Sequence, residues 1–209
     1  MNPSQELKHR LAECPLVAII RGVTPGEAEA IGAAVWEAGI RIIEVPLNSP
    51  EPLSSIEILA RSLGDRALVG AGTVLDPADV ARVRDAGGRI IVSPSTFAPV
   101  IEATAAAGLV SSPGFYTPSE AFEALRAGAH ALKLFPAEAA SPAVVRAMLA
   151  VIPRDVPLLI VGGVRPDGMK PWIEAGAAGF GLGSGLYKPG QAAAETAEKA
   201  RAYVEGARG

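Results

Sequence analysis

Cysteine, histidine and aromatic side chains are scarce in this chain, which has one cysteine, two histidines and 5% aromatics among 209 residues. A lone Cys14 excludes an intrachain disulfide framework, and two histidines exclude a His-rich metal site. Charge of one sign is missing as well. A formal net charge of -3 gives no basic surface for nucleic acid or for an anionic membrane. The longest apolar stretches, such as Pro15–Ile20, fall well short of the ~20 residues that a membrane helix needs. The polar start, Met1–Arg10, lacks the apolar core of a signal peptide. With 49% hydrophobic residues, a disordered chain is excluded too. What is left is a globular protein, expected in the cytoplasm, whose length suits a single domain over residues 1–209.

What the sequence does have is repetition. Short apolar runs begin near Leu16, Arg41, Ala67, Arg89, Leu109, Ala131, Pro157 and Gly179. The intervals match one strand, one helix and two short loops. The runs are almost continuously apolar, as parallel strands covered on both faces must be. A small polar residue followed by proline recurs at Thr24-Pro25, Ser49-Pro50, Asp76-Pro77, Thr117-Pro118 and Ser141-Pro142. Such pairs start helices, because the side-chain oxygen caps free amides and proline at the first position loses no hydrogen bond. Thr24 with Glu27, and Thr117 with Glu120, have capping-box spacing. Glycine follows the expected helix ends at 39, 87, 108, 128 and 176, where a left-handed residue stops a helix. Eight such units predict a (β/α)8 TIM barrel, with an extra N-terminal helix over Pro3–Glu13; a flat doubly wound sheet is the alternative. Trp36 and Trp172 fall on helices and read as packing residues, and His9 and His130 are too far apart to suggest a metal site.

In a barrel, chemistry sits at the C-terminal ends of the strands. Arg21 ends the first strand, Glu44 lies in the second, and Lys133 stands between two leucines in Ala131-Leu132-Lys133-Leu134-Phe135-Pro136. Lys and Glu are almost never fully buried unless paired or used. Lys133 is either a strand-end residue whose amine reaches water or a salt bridge, or an inward amine with the lowered pKa that a Schiff-base lysine requires. Glu44 is either an ion-pair partner for Arg21 or Lys133, or a general acid/base beside a cationic amine. The last two strands end in Val161-Gly162-Gly163-Val164 and Gly181-Leu182-Gly183-Ser184-Gly185. Glycines at those two ends let backbone amides approach a phosphate, although tight turns alone would also explain them. Gly70-Ala71-Gly72-Thr73 lacks the third glycine and the later acidic residue of a dinucleotide loop, but Thr73 offers a hydroxyl to the barrel mouth.

The segments 44–50, 70–75, 132–136 and 161–164 stand in an order and spacing that resemble the class I 2-keto-3-deoxy-6-phosphate aldolases. The resemblance runs from about Leu16 to Tyr187. It implies a trimeric (β/α)8 barrel that uses no metal and no other cofactor, acting on a phosphorylated keto acid. Within the family, members acting on the gluconate epimer carry an arginine shortly after the glutamate, where this chain has Pro46-Leu47-Asn48-Ser49. Members acting on the galactonate epimer supply an arginine from the first strand, which Arg21 matches, and Val161 stands where a gluconate enzyme has threonine. Ser93-Pro94-Ser95-Thr96 departs from the pattern of the galactonate branch.

The resemblance implies that Lys133 forms an imine with the substrate ketone and that Glu44 moves protons. Arg21 and Thr73 would hold the carboxylate, Phe135 would wall the imine, Val161 would read the C4 configuration, and Gly162, Gly163 and Ser184 would hold the phosphate. An aldolase for the gluconate epimer, or one tolerant of both epimers, stays open as the nearest alternative. A phosphosugar isomerase or epimerase and a non-catalytic sugar-phosphate sensor are more remote, and neither gives a purpose to an inward lysine beside a glutamate.

Overall fold

A computed structural model describes residues 1–208. Among these residues nine parallel strands run in chain order as β1 (Leu16–Ile19), β2 (Ile42–Pro46), β3 (Leu68–Gly72), β4 (Ile90–Val92), β5 (Val110–Ser112), β6 (Gly114–Phe115), β7 (Leu132–Leu134), β8 (Leu158–Val161) and β9 (Gly179–Leu182). The helices are α1 (Pro3–Glu13), α2 (Pro25–Glu37), α3 (Pro52–Leu63), α4 (Pro77–Asp85), α5 (Ala98–Ala106), α6 (Pro118–Arg126), α7 (Pro142–Leu149), α8 (Lys170–Glu174) and α9 (Ala193–Gly206). No helix among the described residues is long and apolar enough to cross a membrane.

The strands form one sheet in the order β5-β4-β3-β2-β1-β9-β8-β7-β6. Its two ends are joined through the chain itself, because β5 and β6 are separated only by Pro113. Proline has no N–H to give to a ladder, so the fifth repeat carries its strand in two pieces. β5 pairs with β4, and β6 pairs with β7. Hydrogen bonds across the break complete the ring: the Ser111 carbonyl accepts from the N–H of His130 at 2.9 Å, and the Pro113 carbonyl from that of Lys133 at 2.9 Å. The eight-unit TIM barrel expected from the repeat is the fold observed.

Alternation along the strands divides the apolar side chains into two layers. Ala18, Ile43, Val69, Ile91, Leu132 and Ile160 point outward against the helices. Val17, Ile42, Leu68, Ile90, Val110 and Leu159 point inward and meet Leu7 and Leu11 of α1. The extra helix is therefore a plug across the end of the barrel opposite the strand C-termini. Asn2 caps it, accepting the N–H of Gln5 at 2.8 Å, and the Glu6 carboxylate pairs with Arg89 at 2.8 Å. Trp36 packs under the guanidinium groups of Arg41 and Arg66, 5.1 and 4.7 Å from its ring centre.

The helix punctuation is mostly as expected. The Glu27 carboxylate accepts from the Thr24 N–H at 3.0 Å, and that of Glu120 accepts from the Thr117 N–H at 2.7 Å. All five glycines after helix ends have positive φ, from 70° at Gly108 to 114° at Gly39. Ser49-Pro50 is the exception, since α3 starts two residues later at Pro52. The buried Ser49 hydroxyl instead accepts the N–H of Gly22 at 2.9 Å, tying the loop after β2 to the loop after β1. Ser141 precedes α7 as expected, but its side chain makes no capping hydrogen bond.

Leu7 is fully buried in the plug. Leu7→Ala is expected to destabilise the fold by roughly 2–5 kcal/mol, the range for truncating a buried leucine. Urea unfolding followed by circular dichroism checks this, and a loss under 1 kcal/mol would show that α1 does not brace the barrel.

Candidate functional site

Register places the two unusual side chains inside the barrel. Glu44 sits beside Ile19 on one neighbouring strand and Gly70 on the other, and Lys133 lies between Gly114 and Leu159. Both belong to the inward set that starts lower down with Ile42 and Ala131, so neither reaches the helical layer. Glu44 is 2% exposed and Lys133 7%. Glycine makes the room: a Cβ at Gly72 would overlap the Glu44 carboxylate, and one at Gly70 would strike the Ile90 carbonyl.

The ion pair that one reading of Glu44 expects is not formed. No carboxylate oxygen of Glu44 comes within 4.0 Å of Lys133 or Arg21 among the described salt bridges, and its Oε2 is buried without a hydrogen-bond partner. The two groups instead face a small apolar chamber lined by Val17, Ile90, Leu159 and the backbone of Gly181, with Ser112 as a third polar side chain. Burial pushes the Glu44 carboxyl up to about 7 against the pull of the Lys133 and Arg21 charges. Burial likewise lowers the Lys133 amine; Glu44 opposes this and Arg21 adds to it. Desolvation, the largest cause for both, drives both groups toward neutrality. The Lys133 amine also lies over the Phe135 ring, 5.0 Å from its centre, and Phe135 itself is partly exposed at the mouth.

Above the chamber opens a cleft of about 500 Å³ at the C-terminal ends of the strands. Arg21, Thr73, Lys133, Phe135, Val161, Gly162, Gly163 and Ser184 all line it. The structure thus brings together every residue singled out in the sequence, with Glu44 just beneath and Val161 bordering both spaces. Arg21 donates to the Asn48 side-chain oxygen and, at 3.3 Å, to the Thr73 hydroxyl. Thr73 has a φ of 56°, a left-handed conformation that is a genuine outlier for a β-branched residue. Such strain persists only where its surroundings hold it, and here it aims the hydroxyl at the guanidinium. Gly162 and Gly163 have φ of 119° and 64°, and so expose a turn that side-chain-bearing residues would rarely form.

Asn48, Ser112, Glu138 and Lys188 were not singled out by sequence. Asn48 stands four residues after Glu44, and Glu138 four residues after the end of the Lys133 strand, so position relative to a strand end was the available signal. Ser112 carried none, because a serine in a short strand is unremarkable until the strand's face is known.

Three comparisons with known proteins bear on this geometry. The family described as KDPG and KHG aldolase matches residues 7–201. The 2-dehydro-3-deoxy-6-phosphogalactonate aldolase of Escherichia coli strain K12 is 47% identical over 191 residues, covering 91% of this chain and 93% of that one. A solved native KDPGal structure superposes with a TM-score of 0.92 at 46% identity, over 94% of this chain and 95% of that one. The KDPG aldolase of Legionella pneumophila, solved with pyruvate captured as a covalent carbinolamine intermediate, superposes with a TM-score of 0.81 at 27% identity, over 98% of each chain.

The raised carboxyl pKa has a consequence for stability. A carboxyl held above its unfolded value of 4.5 carries no penalty in acid, where it is protonated in both states, and its full penalty once pH exceeds about 7. Glu44→Gln is therefore expected to unfold at a higher temperature than the parent at pH 8, with a gain of up to about 3 kcal/mol. The difference should shrink toward zero by pH 4. Thermal unfolding across that pH range decides it, and a difference independent of pH would contradict the assignment.

Proposed function

The chain belongs to the KDPG and KHG aldolase family, and from that premise we propose that it cleaves 2-dehydro-3-deoxy-6-phospho-D-galactonate to pyruvate and D-glyceraldehyde 3-phosphate. It is a carbon–carbon lyase of the class I type, in which a lysine forms a Schiff base with the substrate. The observation that carries the residue assignment is the buried Lys133 amine, free of any ion pair within 4.0 Å among the described residues, over a buried Glu44.

The unprotonated Lys133 amine attacks the C2 ketone, and loss of water leaves a protonated imine. As the C3–C4 bond breaks, its electron pair moves into an enamine over C2 and C3, which the iminium nitrogen makes possible. Glu44, directly or through a water, takes the C4 hydroxyl proton as the aldehyde forms. With its pKa near neutrality, it can then return that proton to C3. Hydrolysis of the resulting imine frees pyruvate and restores the amine.

Arg21, oriented by Asn48, and Thr73 hold the substrate carboxylate, the guanidinium offering two parallel donors to its plane. Gly162 and Gly163, through backbone amides, and Ser184, through its hydroxyl, hold the phosphate. Phe135 walls the imine. Val161 lies where the C4 substituents would pass, between Lys133 and the phosphate corner. Arg21 in the first loop and Val161 in place of threonine favour the galactonate epimer over the gluconate one. We place the enzyme in the cytoplasm.

Borohydride reduction in the presence of pyruvate, followed by peptide mass spectrometry, tests the imine. A reduced adduct is expected on Lys133, and Lys133→Ala should lose both the adduct and aldol cleavage while keeping its circular dichroism. Cleavage should be faster on the galactonate epimer than on the gluconate epimer. An unmodified Lys133 in protein that binds pyruvate would refute the mechanism.

We also propose that the chain works as a homotrimer. Leu75, Phe97 and Tyr116, 58%, 46% and 36% exposed, follow β3, β4 and β6 on one side of the barrel mouth. Exposed apolar side chains grouped this way mark an interaction surface. Sedimentation velocity should give about three times the 21.3 kDa chain mass, and Phe97→Glu should yield the monomer.

A further inference from the structure

The glycine turn after β8 is covered from one side by a carboxylate. Glu138 lies in the short 3-10 turn Ala137–Ala139 that follows the lysine strand, and its side chain folds over Gly162 and Gly163. A Cβ on Gly162 would come within 2.8 Å of the Glu138 Cδ. One on Gly163 would come within 2.6 Å of its Cγ and 3.4 Å of its Oε1. Glu138 thus fills the space that the absent side chains leave. It is exposed, lines the cleft, and makes no salt bridge or side-chain hydrogen bond among the described residues.

The neighbouring charges do little to offset it. Arg165 borders the same corner, but Asp167 accepts from its Nε at 3.1 Å and from its Nη2 at 2.7 Å, so that pair is neutral as a unit. Lys188 is exposed in the cleft with no ion-pair partner among the described residues. Glu138 and Lys188 therefore cancel, and the corner that receives an anion has no net charge of its own.

We propose that Glu138 sets the affinity of the phosphate corner: its carboxylate lies against the glycine turn in the free enzyme and opposes a phosphate arriving there. This inference rests on the proposed phosphate assignment of Gly162, Gly163 and Ser184. A dianionic ligand must turn the Glu138 side chain away or bind beside it, and two like charges at such separations repel appreciably near a protein surface. The carboxylate thus weakens the hold on the phosphorylated substrate, and equally on the phosphorylated aldehyde that must leave. Neutralising it raises the net charge of the corner by one unit without touching Lys133 or Glu44.

Inorganic phosphate is the probe, used as a competitive inhibitor of cleavage at pH 8 and fixed ionic strength. Glu138→Gln keeps the shape and removes the charge, and Glu138→Ala removes both. In both variants the inhibition constant for phosphate, and the KM for the phosphorylated substrate, should fall by about five- to tenfold. Glu138→Asp retains the charge but draws it back by one methylene, and should fall between the parent and Glu138→Gln. Lys133 trapping by borohydride and pyruvate reports whether each variant has kept its site, and the readout is taken from those that have.

If phosphate competes in the parent but inhibits the Gln and Ala variants no more strongly, Glu138 has no such role and the phosphate assignment stands. If phosphate does not compete in the parent while pyruvate is still trapped on Lys133, the phosphate assignment fails and the inference goes with it.

Discussion

Two ionisable side chains share the inside of one barrel without touching, and the rest of the structure is arranged so that they can. A contact ion pair would have been the cheaper solution for a buried Lys133 and Glu44, since paired charges offset part of their desolvation. It would also have locked a proton on the amine, and a protonated amine has no lone pair to offer a ketone. Held apart in an apolar chamber, each group is driven by burial toward its neutral form, the lysine downward and the glutamate up to about 7. Gly72 keeps the carboxylate's seat open, and α1 seals the far end against water. The stability that the fold gives up at Glu44 is what makes the carboxyl a usable acid and base near neutrality.

Much of this was legible in the sequence, for identifiable reasons. The repeat showed because parallel strands covered on both faces must be apolar throughout, and because a helix that begins with proline and ends at glycine is punctuated at both ends. Lys133 showed because leucines flank it, and a charge in such a run needs an explanation. What stayed hidden depended on contacts between distant parts of the chain. Ser49-Pro50 has the form of a helix start, yet the Ser49 hydroxyl is taken by Gly22, twenty-seven residues earlier, and Pro52 opens the helix instead. Pro113 was visible as a residue, but that it divides a strand and lets the two halves pair with different neighbours is a property of the closed ring. The separation of Glu44 from Lys133 likewise depends on how the ring sets β2 and β7 across the barrel from one another.

The division of labour within the cleft follows the same line between strand and loop. Lys133 and Glu44 are fixed by ladder hydrogen bonds on both sides and can hardly move. The residues proposed to hold the carboxylate and the phosphate sit one or two positions beyond the strand ends, where the backbone is free to adopt unusual conformations. Arg21 depends on Asn48 and Thr73 from two other loops, and Thr73 reaches it only through a left-handed backbone that a β-branched residue resists. On the proposed assignment, changes of substrate can therefore be made at Arg21 and Glu138 in the loops, or at Val161 at the end of β8, while the imine chemistry below stays as it is.

This arrangement also explains why a carboxylate beside the anion corner is tolerable. In the proposed mechanism the pyruvate end of the substrate is gripped by the Arg21 guanidinium and then by a covalent bond to Lys133, so cleavage there does not rely on the phosphate for most of its binding free energy. Interactions that hold substrate and product equally raise affinity without lowering the barrier between them. The aldehyde product keeps the phosphate, and a corner with strong net positive charge would retain it after C3–C4 cleavage. On the proposed assignment, a turn of backbone amides with its nearby charges balanced would orient that end of the ligand and still let it go.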